Sequence, residues 1–371
     1  MLAGSPALCK STGRIKNMYK PLKVGLVGTG SISKFHLPAY LDHPDQIQLA
    51  AICDIAEPLA REYASEAGVE TVYLSYEDML NDADIDAVDI CTAHSLHARQ
   101  AVAAAAAGKH VIVEKAMAST LEDCREMVEA ADQAGVTLMV AQHLRYSPEA
   151  YAVKHLIEHG KLGEIHAART HVFRQGPKDS WYIDAKAGGG VLLVQTIHYI
   201  DLLRYYLGNV KSVTGICRTV QPQMTNGAED LVTASIEFEN GVICDVFSSW
   251  TTNLVPEASS YMVLGSKGTI YSTPPATAKD DSPIRHFGLV MYGGKKEASD
   301  REKPPFEPID TSGIVLPSAS FFVNEILHFE ECIRTGNEPL SSGRDNIDTM
   351  KVALGILESS RTGKPIYIAD L

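Results

Sequence analysis

No apolar run in this sequence reaches the length of a bilayer. Hydrophobic residues make up 45% and charged residues 21% of the 371-residue chain, and the mean hydropathy is −0.05, values of an ordinary globular protein. Basic residues are short: 33 Lys and Arg against 46 Asp and Glu leave a net charge of −13 and a pI near 5.5, with no Lys/Arg cluster. That balance argues against nucleic acid or an anionic membrane as a partner. The seven cysteines (9, 53, 91, 124, 217, 244 and 332) are odd in number and scattered, and they never form CxxC. Several lie inside apolar runs, so they read as buried free thiols of a reducing, cytoplasmic compartment, with no metal site and no disulfide framework. There is no internal repeat and no low-complexity tract. Residues 1–20 carry four basic side chains but no apolar segment behind them, so they read as a loose tail and not as a secretory signal.

Against those absences stands the stretch from Lys23 to Asp54, KVGLVGTGSISKFHLPAYLDHPDQIQLAAICD. An apolar strand runs into the turn Gly28-Thr29-Gly30-Ser31-Ile32, then a helix, then a second apolar strand that ends on an acid. Gly28 permits the sharp turn and Gly30 leaves no side chain between backbone and a pyrophosphate, which would sit on the helix N-terminus. Asp54, 24 residues beyond Gly30, is placed to accept both ribose hydroxyls of an adenosine. The third glycine of the fingerprint is Ser33, a small residue where helix packs on strand. An ordinary turn before a helix is the plainer alternative; the strand before, the helix after and the spaced acid favour a dinucleotide. Asp54 would repel a 2′-phosphate, and Ile55 and Glu57 offer no cation to receive one, so NAD is expected over NADP.

Short apolar strands then alternate with helices: helix Pro58–Ala67, helix Tyr76–Asn81, strand Ala87–Cys91, helix Ala98–Ala107, strand His110–Val113, helix Ser119–Ala134 capped by Ser119, and strand Thr137–Ala141. This is the pattern of a doubly wound parallel sheet, a Rossmann domain over residues 21–142. From Ser147 the rhythm changes. Helix Pro148–His159, a strand near Ile165–Val172 and a long helix Leu192–Leu207 precede strands at 211–220, 231–238, 242–250, 260–264 and 268–272. In the second of these, Val232, Ala234, Ile236 and Phe238 alternate with polar residues, and Asn240-Gly241 signals a hairpin to the next. Residues 143–371 are thus expected to form an α/β domain with a mainly antiparallel sheet, one face under helices and the other open. The proline-rich stretch 273–318 has no period and reads as a loop excursion. Helices Ser320–Arg334 and Asp345–Ser360 follow, and the last helix is free to pack back on the first domain.

Two stretches carry candidate chemistry. In VIVEKAM (111–117), Glu114 and Lys115 leave the carboxyl end of a buried strand, the edge where an open parallel sheet binds its ligand. A lysine there stands over a nicotinamide; a surface Glu–Lys pair is the plainer alternative. In GGGVLLVQTIHYIDLLRYYLG (188–208), Gln195, His198 and Asp201 share one helix face. A lone histidine on an apolar helix is usually a satisfied core residue, but three polar groups on one stripe after three glycines favour a site. Oxidising a secondary alcohol moves a hydride to nicotinamide C4 and a proton to a base; His198 has a suitable pKa, and burial should lower that of Lys115. Thr92 and His97, after the Cys91 strand end, fall near the cofactor, and His94 and His97 are given structural roles. Arg145, Trp181 and Tyr182 flank the expected cleft, where they either bind and stack a sugar or pack the domain interface.

Taken in order, GTGxxxxxH at 28–36, the Asp54 strand end, HxxxAxxAxxAGKHVxVEK at 97–115, GGGxLxxxxxHxxDLxxxxLG at 188–208 and SSRTGKPI at 359–366 resemble the glucose-fructose oxidoreductase, inositol dehydrogenase and MocA family across Pro21 to Ile368. The resemblance implies a Rossmann domain followed by an α/β domain with an open-faced sheet. It also implies NAD(P)-linked oxidation or reduction of a sugar, polyol or related carbonyl, and dimers or tetramers. The family's catalytic lysine falls on Lys115 and its histidine on His198. Its aspartate four residues before the histidine is Val194 here, and the proline of its EKP motif is Ala116, so Lys115 and His198 must handle the proton alone with Gln195 to orient substrate. Two other functions stay open: a lyase or glycosidase-like enzyme using retained NAD for transient oxidation, which net NADH formation would separate, and a non-catalytic NAD-binding regulator, which would need neither Lys115 nor His198.

Overall fold

A computed structural model describes residues 20–178, 180–251, 258–273, 288–292, 307–308, 313–317 and 320–371. The expected loose tail and most of the expected loop excursion therefore lie outside the described residues, although strands at Gly288–Tyr292 and Glu307–Pro308 fall within the latter.

The first half is a six-stranded, wholly parallel sheet. Its strands are β1 (Leu22–Val27), β2 (Ile47–Cys53), β3 (Val72–Tyr73), β4 (Ala87–Ile90), β5 (His110–Glu114) and β6 (Leu138–Ala141), in the order β3-β2-β1-β4-β5-β6. The near-continuous apolar strands are explained by burial on both faces. Helices α1 (Ser33–Asp42), α2 (Glu57–Ala67), α3 (Tyr76–Asp82), α4 (His94–Ala106) and α5 (Leu121–Ala134) provide the connections. Most bounds fall within a residue of expectation, and the starts of α5 and α4 differ by more. Thr120, not Ser119, caps α5, its hydroxyl accepting the Asp123 N–H at 3.1 Å. Helix α4 starts at His94, four residues early, because its first turn is held by contacts to distant segments described below.

Strand order reverses between β1 and β4, so the carboxyl ends of β1, β4, β5 and β6 frame a crevice.

After α6 (Pro148–Glu158), nine strands form a second sheet. They are β7 (Ile165–Phe173), β8 (Val210–Arg218), β9 (Leu231–Phe238), β10 (Ile243–Ser249), β11 (Ala258–Gly265), β12 (Thr269–Thr273), β13 (Gly288–Tyr292), β14 (Glu307–Pro308) and β15 (Ile366–Tyr367), in the order β14-β13-β12-β11-β7-β10-β9-β8-β15. It is mixed rather than purely antiparallel, since β7 and β10 pair in parallel across 167–173 and 243–249. Along β9, Val232, Ala234, Ile236 and Phe238 point inward as the alternation required. Helices α7 (Ile197–Leu207) and α9 (Gly343–Thr362) belong to the covered side, with α9 packed on β8. The other face leaves Ile216, Ile243 and Phe247 exposed. Helix α8 (Phe321–Thr335) lies on α1, and α9 packs on α5 and β6 as well as on β8, so α9 binds the first sheet to the second.

Candidate active site

The glycine turn is shaped on one side by backbone and on the other by open space. A Cβ on Gly28, whose φ is +92°, would stand 2.8 Å from the Cys91 carbonyl, whereas a Cβ on Gly30 would meet nothing within 4 Å. Ser33 takes the third glycine's place by turning its hydroxyl inward to the Gly30 carbonyl at 2.8 Å, while its own carbonyl accepts from the Tyr63 hydroxyl at 2.7 Å. Asp54 is anchored next to the turn. One of its oxygens accepts the Thr29 N–H and hydroxyl at 2.7 and 2.9 Å, and the other accepts the Ala56 N–H at 2.8 Å. Beside it Ile55 is 93% exposed. Thr92 sits against Gly28, its hydroxyl bonded to Gln100 at 2.6 Å. Tyr182 reaches over from the second half towards Ser31.

Beneath this edge the core holds charge. His36 spans two buried carboxylates, Nδ1 to Asp89 at 2.9 Å and Nε2 to Glu114 at 3.2 Å, and Tyr40 donates to the same Asp89 oxygen at 2.8 Å. Burial opposes a charge on the ring, but Asp89 and Cys91 outweigh it and hold the imidazole pKa well above its usual value. An imidazolium has the two N–H donors that this geometry needs. Asp89, an acid inside an otherwise apolar strand, was the sequence signal for this network. Glu325 of α8 is also buried there, with both oxygens unpaired, and burial raises its pKa well above the carboxylate range.

Glu114 also accepts the Lys115 N–H at 3.0 Å. The next peptide, Lys115–Ala116, is cis and lies between two imidazoles. His94 Nδ1 lies 2.7 Å from the Gly188 carbonyl, and its Nε2 lies 2.9 Å from the Lys115 carbonyl and 3.0 Å from the Ala116 N–H; burial, then His97 and Lys115, push its pKa well down, and the neutral ring that donates from Nδ1 accepts the Ala116 N–H at Nε2. His97 reaches the carbonyls of Ala116 at 2.9 Å and Thr92 at 3.0 Å. Both histidines thus position the lysine backbone.

The lysine side chain crosses to the second half, where Nζ donates to the Val194 carbonyl at 2.6 Å. Burial lowers its pKa, opposed by Glu114 and aided by Arg174.

Val194 belongs to a π-helical turn, Leu192–Thr196, that leads into α7 where a continuous α-helix was expected. The three glycines before it are each required by close packing. A Cβ on Gly188 would stand 2.5 Å from that of His94, one on Gly189 would overlap the Tyr182 carbonyl, and one on Gly190 would lie 2.5 Å from the Glu229 carboxyl. Glu229, which sequence reasoning missed, accepts the Leu192 N–H at 2.8 Å, and burial lifts its pKa to about 7.

One helical turn beyond Val194 comes His198, its ring 4.3 Å from that of His143. Burial first, then Lys115 and His143, hold the His198 pKa well below 6.5. Gln195 is engaged by Trp250, whose indole N–H donates to its side-chain oxygen at 2.7 Å. Trp181 lies edge-on to His94 at 4.6 Å and to Tyr182 at 4.4 Å.

Two expectations are corrected. Asp201 does not join Gln195 and His198 in the cleft, and Arg145 does not face it. Arg145 is buried and donates twice to Asp201 at 2.6 Å and once to the Leu340 carbonyl at 2.7 Å, and it pairs with Asp345 at 2.6 Å. A guanidinium spent on an acid of α7, an acid of α9 and a carbonyl of the loop before α9 is an interface brace.

The chain matches the model of an oxidoreductase family with an NAD-binding Rossmann fold over residues 22–142, and that of the GFO/IDH/MocA C-terminal domain over residues 151–271. It is 30% identical to 1,5-anhydro-D-fructose reductase of Ensifer adhaerens across 82% of this chain and 86% of that protein. It is 27% identical to the NAD(+)-linked scyllo-inositol 2-dehydrogenase of Bacillus subtilis across 95% and 97%. Among solved structures, the WlbA dehydrogenase of Bordetella pertussis in complex with NADH and UDP-GlcNAcA superposes with a TM-score of 0.78 at 28% identity, covering 94% of this chain and 98% of that one. No helix among the described residues is long and apolar enough to cross a membrane. With both halves matched in order and a relative of this identity over most of its length, the chain belongs to the GFO/IDH/MocA family of NAD-binding oxidoreductases.

Proposed function

We propose that the protein oxidises a secondary alcohol of a sugar, polyol or glycoside, or reduces the corresponding ketone, with NAD. The observation that carries this reading is the meeting of Lys115, from the carboxyl edge of the first sheet, with the helix turn that presents His198. The open space at Gly30 and the anchored Asp54 fit a dinucleotide. Gly28, Thr29, Gly30, Ser31 and Ile32 would hold its pyrophosphate, Asp54 its adenosine ribose, and Thr92 and Lys115 would line its nicotinamide end, with the buried His97 and Glu114 holding the backbone behind them and not touching the cofactor. When bound, NAD supplies the hydride acceptor.

The protein's own part is the proton. His198, kept neutral by burial, takes the hydroxyl proton. Lys115 spends one of three ammonium hydrogens on Val194 and has two left to donate to the reacting oxygen, where negative charge grows as the proton leaves. In reduction the same groups act in reverse. With valine in the family's aspartate position, a backbone carbonyl holds the ammonium. Gln195, Trp181 and Tyr182 line the substrate side; Arg145 has no part in it.

The test is an NADH assay on a panel of hexoses, inositols and glycosides, followed by Lys115→Met on the best substrate. The substitution should lower kcat by about 10²-fold or more with NAD affinity held within a few-fold. Near-normal turnover would remove Lys115 from the mechanism.

NAD is preferred over NADP in this reading, because Asp54 would face a 2′-phosphate with Ile55 and Glu57 as its neighbours. A higher kcat/KM with NADP would refute it. Residues 21–142 and 143–371 serve as cofactor and substrate domains, and the free thiols among the described residues suit the cytoplasm. The exposed Ile216, Ile243 and Phe247 on the open sheet face support a homodimer or homotetramer.

A further inference from the structure

A second imidazole faces His198. His143 follows β6 at the same carboxyl edge as Lys115, with its ring tilted 56° to that of His198 at 4.3 Å. Phe321 stacks on it at 5.0 Å and 22°, Phe322 lies 4.5 Å away, and Phe322 in turn stacks on Phe35 of α1 at 5.0 Å. Two aromatic rings of α8, one of them backed by Phe35 of α1, therefore fix the orientation of His143.

The Nδ1 atoms of both His143 and His198 are buried with no hydrogen-bond partner among the described residues. Leaving one such atom unpaired in a core is costly; two on adjacent rings beside a lysine mark a place whose partners arrive with the ligand. Burial and Lys115 depress the pKa of both rings. A neutral imidazole offers one donor and one acceptor, the complement of a hydroxyl group.

We propose that His143 is a substrate-positioning residue that receives the hydroxyl on the carbon next to the one oxidised, so that the site selects vicinal diols. The inference rests on reading Lys115 and His198 as an alcohol-oxidising pair. Rings this close suit oxygens on neighbouring carbons, one between Lys115 and His198 and the other on His143. The aromatic wall of Phe321 and Phe322 leaves that imidazole no freedom to follow a differently placed hydroxyl.

Wild type, His143→Phe and His143→Asn are compared in NAD reduction on the best substrate among hexoses, inositols and 1,5-anhydrohexitols, and on its monodeoxy analogue lacking the hydroxyl beside the oxidised carbon. His143→Phe keeps the stacking and loses the polar atoms. It should lower kcat/KM by about 10²-fold, mostly through KM, and the analogue should cost the wild type a similar factor. The two losses should not multiply, because both remove one contact. His143→Asn should recover part of the loss, and NADH affinity measured by fluorescence should stay within about threefold in all three proteins.

An unimpaired His143→Phe, or losses that multiply, would overturn the inference and leave the proposed reaction standing. If His143→Phe does not bind NADH, the same comparison on His143→Asn decides between the outcomes. If the wild type oxidises no compound on the panel, the proposed reaction fails and this inference fails with it.

Discussion

The residues that set the chemistry of this cleft are controlled by burial more than by partners. His198 lacks the carboxylate that the family places one turn earlier, and burial, then Lys115 and His143, depress its pKa well below 6.5. The base must be neutral to take a proton, so lowering its pKa moves the acidic limb of kcat/KM for oxidation to lower pH. We expect activity at pH 6 close to its plateau, and His198→Asn should lower the plateau and abolish that limb. A wild-type midpoint at or above 6.5 would show that another group titrates. His36 stands in the opposite condition, since Asp89 and Glu114 on its two nitrogens make it the charged centre of a buried network.

At the scale of elements, the loop Gly188–Gly190 and the first turn of α4 form one unit. Gly188 combines a φ of +87° with a carbonyl that accepts from His94 and a Cα against which His94 packs. Gly188→Ala must therefore strain the backbone and displace His94, whose Nε2 holds the Ala116 N–H after Lys115. The expected cost is about 2 kcal/mol or more in urea unfolding, with kcat falling further than the cofactor affinity. Unchanged stability and kcat would mean that the loop yields without consequence. The π-helical turn at Leu192–Thr196 belongs to the same unit, because the carbonyl that receives Lys115 is that of Val194 within it.

For the whole molecule, Arg145 bridges the edge of the first sheet to α7 and α9 through Asp201 and Asp345, and the covered face of the second sheet lies under those helices. The opposite face bears on the proposed self-association. Ile243 is 62% exposed at the start of β10, with Phe247 further along the same strand and Ile216 across β9 from it, both flanking Thr233 on the same face. Ile243→Asp should place a charge in any interface built on this face and move the light-scattering mass towards the monomer. A wild type that is monomeric at micromolar concentration would refute the assembly itself. Much of this architecture was legible without coordinates, because its signals are local. Apolar strands buried on both faces, the alternation along β9, the glycine turn with its spaced acid and the GGG segment each write their periodicity or backbone need into a few adjacent residues. The corrections came where the deciding partner is distant. Arg145 and Asp201 look like site residues until their mutual ion pair, 56 positions apart, is seen. Glu229, Trp250 and His143 showed no local signal, since their roles depend on a carbonyl, an amide or a ring brought beside them by folding. Local sequence thus determined which segments are strand, turn and helix and where a dinucleotide fits; only tertiary packing decided which polar side chains were consumed as braces and which were left facing the cleft, because hydrogen-bond satisfaction is settled between elements and not within them.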